Sequence, residues 1–131
     1  MSNLSDFAVT SPMLRQVTEA REAVSISGGV LALNMVYGIS SATMNANVTS
    51  LTLANNAANA SACHCHTLEL IGNGSAYTFA WPAGDGATSL LFKWPGGAAP
   101  TLTTTSGKRD VFFFKSVSQF LFDACIVGQN L

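Results

Sequence analysis

Cys63-His64-Cys65-His66 is the one stretch of this sequence that gathers side chains able to ligate a metal or attack a carbonyl. Thiolate and imidazole are good zinc ligands, and four of them close a structural site. Alternation in an extended chain sends Cys63 and Cys65 to one side and His64 and His66 to the other. One ion cannot then collect all four. Zinc ligand pairs are also spaced by two or more residues, which lets the backbone curl around the ion. The spacing therefore predicts a strand, with His66 sharing the parity of Leu68 and Leu70. No metal and no cofactor are expected.

Nucleophilic catalysis meets the same obstacle. A Cys–His pair needs a hydrogen bond between nucleophile and base, and a third group to orient the base. Neighbours on opposite faces of a strand cannot supply it. There is no G-x-S-x-G elbow, and Glu69, Asp85, Asp110 and Asp123 show no paired spacing. Glu69 shares the cysteine face and reads as solvated. Asp110, after Lys108-Arg109, reads as a charged strand entry, with fixing of the adjacent turn as the second reading. GNG and PGG are turns, too short for phosphate loops. The chain is not expected to be an enzyme.

Aromatic residues carry what chemistry is left. Tyr77, Phe79, Trp81, Phe92 and Trp94 can stack on the apolar faces of a sugar or fill a core. Alternating strand positions favour the second use, so Trp81 and Trp94 are expected in the core or a subunit interface. Phe112, Phe113 and Phe114 in succession must occupy both faces of their strand, so both faces are covered or one is buried in an oligomer.

Positioning these residues falls to short strands separated by small-residue turns, organised around residues 90–115. Leu90 to Trp94 reads as a strand stopped by Pro95-Gly96-Gly97, Thr101 to Thr105 as a second, and Val111 to Phe114 as a third. Proline belongs at strand ends or edges. Upstream, AVSI, the Ser27-Gly28-Gly29 turn and VLALNM read as a hairpin with Leu31, Leu33 and Met35 on one face. Val36 to Asn47 is softer. VTSLTL puts Thr49, Leu51 and Leu53 on one face, and Tyr77 to Trp81 alternates. FLFDACIV sets Phe120, Phe122, Ala124 and Ile126 against Leu121, Asp123, Cys125 and Val127. About eight or nine short strands at this spacing predict an all-β fold, a single antiparallel β-sandwich or jelly roll. No convincing helix is present in residues 23–131.

Composition narrows the partners. Charged residues make up 10% of 131 and hydrophobic residues 48%, with a formal net charge of -1. No basic cluster offers a footprint for nucleic acid. No run is apolar enough to span a membrane, and MSNLSDFAVTSPM lacks the basic start and apolar core of a signal peptide. A cytoplasmic origin is expected, with Cys63, Cys65 and Cys125 as reduced thiols. Scarce charge fits a protein that buries surface against copies or partners.

The ordered segments SISGGVLALNM, NVTSLTLAN, HTLELIGNGSAYTFAWP, FKWPGGAAPTLTTTSGKRDVFFF and GQNL resemble a family of small modules in tailed-phage virion proteins. These serve as C-terminal pieces of tail fibres and as stand-alone virion proteins, including head decoration or cement proteins. The similarity runs from about Val24 to Leu131 and is most specific from Trp81 to Phe114 and at GQN. After Phe114 the chain differs, with KSVSQFLFD where family members often carry a DGG turn and a tryptophan. The resemblance implies an antiparallel β-sandwich without enzymatic activity, made in a bacterial cytoplasm and located in the virion. Its expected partners are the major capsid protein and copies of itself, with no nucleic acid and no membrane. A decoration or cement protein is the preferred reading, because only a short arm precedes the module. The alternative is a tail-fibre or receptor-binding module that touches host glycans.

That arm is residues 1–22, ahead of a β domain over 23–131. It lacks strand periodicity but mixes charges with Leu4, Phe7, Val9, Met13, Leu14 and Val17. Scattered apolar anchors suit a segment that orders on a partner surface, so these six join Trp81 and Trp94 as expected interface residues.

Overall fold

The structure is a computed structural model and describes residues 20–58 and 63–131. Leu4, Phe7, Val9, Met13, Leu14 and Val17 lie outside the described residues. The fold is all-β, with eight strands and one short 3-10 turn among the described residues. The strands are β1 (Arg21–Ala23), β2 (Val30–Asn34), β3 (Ile39–Thr43) and β4 (Ser50–Ala54), then β5 (Cys65–Ile71), β6 (Leu91–Lys93), β7 (Arg109–Ser116) and β8 (Leu121–Gly128). Six form one sheet in the order β1-β3-β5-β7-β8-β6, and β2 pairs with β4 in a second sheet. β1 straddles the expected boundary between residues 22 and 23.

Strand direction departs from the antiparallel expectation. β5–β7 and β7–β8 are antiparallel, but β1–β3, β3–β5, β2–β4 and β6–β8 are parallel. From β1 to β5 the chain alternates between the two sheets, so each sheet takes every second strand. Parallel neighbours need a long crossover, usually a helix. From β1 to β5 the crossover is a strand of the other sheet, whereas β6 reaches β8 through β7 of the same sheet. Side-chain alternation fixes the buried face but is silent on the direction of the neighbour.

The expected hairpin from Ala23 to Met35 stops at its turn. Ser27 and Val30 exchange both backbone hydrogen bonds around Gly28-Gly29, which hold φ of 58° and 77°. Both glycines adopt a left-handed conformation that other residues resist. Beyond this one bridge the strands separate, β1 to one sheet and β2 to the other. Thr49 N donates to Gly29 O, which ties the turn to the start of β4.

Two expected strands form no ladder. Tyr77 to Trp81 makes a single bridge, Phe79 to Val48. Thr101 to Thr105 is pinned instead by Gly74 N on Thr104 O and by the Gln129 side-chain amide on Thr101 O. Gly72 packs so close to this segment that a Cβ there would lie 2.5 Å from Thr105 O. The soft stretch after Met35, in turn, contains β3, whose ISSAT sequence gave little strand signal.

One core draws on both sheets. Leu31, Leu33 and Met35 follow β2 and Leu51 lies on β4, while His66, Leu68 and Leu70 of β5, Phe112 and Phe114 of β7, and Phe122 and Ala124 of β8 are all buried. Their parities are those read from the sequence. The opposite face of the six-stranded sheet carries Glu69, Phe113, Lys115, Asp123, Cys125 and Lys93.

Candidate functional site

The CHCH segment disperses its side chains. Cys63 and Cys65 are exposed, whereas His66 is 1% exposed. His64 Nε2 accepts from Ala57 N at 3.1 Å, and its own backbone N donates to Ser116 Oγ at 2.7 Å. No group of three or more His, Cys, Asp or Glu is placed to hold a metal ion among the described residues. His66 spans two partners: Nδ1 lies 2.9 Å from Tyr37 O, and Nε2 lies 2.9 Å from Ser40 Oγ. A serine bonded to a histidine is the start of a nucleophilic pair. Ser40 is 0% exposed, so no substrate reaches it, and the pair satisfies buried polar groups instead.

Glu69 is not solvated. Arg21 of β1 approaches it to 2.8 Å and Arg109 of β7 to 3.8 Å, leaving the Glu69 side chain 12% exposed. Sequence parity placed Glu69 on the outer face correctly. It could not show that arginines from two other strands close over it.

Asp110 is an anchor, its second reading. It is 2% exposed and accepts from Thr103 N at 2.6 Å and Asn130 N at 3.0 Å. Asn130 has φ of 58°, a left-handed conformation that asparagine tolerates better than most residues. Arg109 and Leu131 exchange both backbone hydrogen bonds beside it. KRD, TLTTT, GNG and GQNL therefore meet in one knot at one end of the fold.

The tryptophans are half-buried and lean on the core. Trp81 is the hub of an aromatic cluster, stacked on Phe79 at 4.0 Å between ring centroids and 4.9 Å from both Trp94 and Phe112. Trp94 meets Phe112 edge-on at 6.0 Å. Edge and offset contacts of this kind are the favoured aromatic geometries.

Trp94 also walls an open groove of about 510 Å³ with Phe113, Lys115, Lys93, Asp123 and Cys125. Strand register explains the gathering. Asp123 pairs with Lys93 of β6 on one side and Lys115 of β7 on the other, and Cys125 pairs with Phe113. The three phenylalanines thus divide: Phe112 and Phe114 are core, and Phe113 faces the groove. A second groove, of about 290 Å³, runs between Tyr77, Phe79, Trp81 and the Pro100–Leu102 segment. Sequence reasoning missed Lys93, Phe113, Lys115 and Asp123 as a set, because they converge through register between three strands. The one available signal was the parity of Phe113 opposite to its neighbours.

Comparison with models of protein families, with curated proteins and with solved structures finds no match.

Proposed function

We propose that this chain is a structural protein of a tailed-phage virion, a decoration or cement protein that binds the assembled head and copies of itself. The fold proposed for it is a two-layer sandwich, with β2 and β4 lying over the inner face of the six-stranded sheet. One observation supports the reading above others. The residues that carry the resemblance spend their polar groups on architecture: Asp110 holds Thr103 and Asn130, and Gln129 holds Thr101. Ser40 and His66 are likewise consumed in the core. A module of this kind supplies surface and stability. Immunogold electron microscopy of particles tests the proposal. Label over the head supports it, and label confined to the tail tip overturns it.

A second reading, a tail-fibre module that touches host glycans, is favoured by the open groove beside Trp94.

A further inference from the structure

We propose that the groove beside Trp94 binds an acidic sugar residue of a polysaccharide. The inference deepens the glycan-contacting reading and rests on it. At about 510 Å³ the groove has the size of a small-ligand site. A pyranose ring presents an apolar C–H face and a rim of hydroxyls. Trp94 and Phe113 offer flat apolar surfaces for the first. Asp123 offers carboxylate oxygens for the second, and such charge-assisted hydrogen bonds are the strong ones.

Charge selects the class of sugar. Lys93 and Lys115 flank Asp123 in register, so two ammoniums stand beside one carboxylate. The ion pairs among the described residues are those of Glu69 with Arg21 and Arg109, and neither lysine pairs with Asp123 within 4.0 Å. The lysines therefore keep donors for a ligand, and their surplus positive charge favours one bearing a carboxylate. The Tyr77–Leu102 groove has aromatic rings but no charged side chain in its lining, and it is not assigned a ligand.

The test is titration of the full chain with sodium D-glucuronate, D-glucose and sodium glutarate, followed by the amide resonances of Phe113 and Cys125 and the Trp94 indole N–H. Glucuronate is expected to saturate these shifts at a concentration on the order of millimolar, with the other two probes about tenfold weaker or more. Lys115→Gln should weaken glucuronate binding about tenfold and leave glucose unchanged. Phe113→Ala should weaken both sugars. Each variant is first checked for an intact thermal transition. Glucose binding as tightly as glucuronate overturns the acidic specificity alone, and glutarate doing so overturns the sugar. No saturable shift with any probe overturns the site. A parent protein that still adsorbs to host cells would then keep the glycan-contacting reading and move it elsewhere on the surface.

Discussion

His66 Nε2 and Ser40 Oγ meet at 2.9 Å in a part of the core where both residues are sealed from solvent. The other ring nitrogen bears on the direction of that bond. Nδ1 faces the Tyr37 carbonyl, which only accepts, so Nδ1 carries the proton and donates. With a neutral ring, Nε2 is the acceptor and the Ser40 hydroxyl donates; with a charged ring, Nε2 donates to the Ser40 oxygen. Ser40→Ala removes that hydrogen bond from a buried ring, at a cost of about 1–3 kcal/mol. Urea unfolding measures it, with the same slope expected for parent and variant.

Asp110→Asn tests the knot that joins residues 101–105 to the segment after β8. One carboxylate oxygen would become an amide that faces a backbone N–H as a second donor. Stability should fall by roughly 1.5–3 kcal/mol, the worth of a hydrogen bond to a charged group. Hydrogen exchange should accelerate at one of Thr103 and Asn130, the one whose amide then faces the new NH2 group.

The aromatic cluster predicts a graded response. Phe112 is 0% exposed, and Phe112→Ala should cost about 3–5 kcal/mol. Trp94 is only half-buried, so Trp94→Ala should cost less despite its larger ring. Thermal melts of the two variants side by side check the order, and a larger loss for Trp94 would reverse it.

Asp85 predicts behaviour in acid. Its carboxylate accepts from the backbone N–H of Thr88, then those of Ala87 and Ser89 and the Thr88 hydroxyl, which hold its pKa well below the ordinary value of 3.8. A depressed folded pKa contributes stability that is present above the ordinary value. That contribution disappears only as pH falls through the lower folded value. A carbon-detected NMR titration should therefore show the Asp85 carboxyl still ionised below pH 3.8. Asp85→Asn should be destabilised at neutral pH, and the difference from parent should close in strong acid.

Face parity was legible wherever a strand alternated large apolar residues with others, as at Leu31 and Leu33, Leu68 and Leu70, or Phe112 and Phe114. What the sequence hid was of two kinds. ISSAT has only one large side chain, Ile39, and so no alternation to read; β3 is a strand because β1 and β5 flank it with ladders on both sides. Tyr77 to Trp81 has the alternation of a strand but is placed by ring packing around Trp81 rather than by a ladder. The outer-face groove was hidden for a related reason. Lys93, Phe113, Lys115 and Asp123 belong to three strands, and only their register brings them together.

The alternation of β1 to β5 between two sheets has a kinetic consequence. No ladder in that half joins strands adjacent in sequence, so each pairing must wait for a chain loop to close across the other sheet. β7 and β8 are the exception, sequence neighbours paired antiparallel, and they are the natural nucleus. Topologies dominated by such distant pairings refold in roughly milliseconds to seconds. Stopped-flow refolding should therefore be slow for a chain of this size. Truncating Phe114 should slow it further, while truncating Leu31 should chiefly speed unfolding.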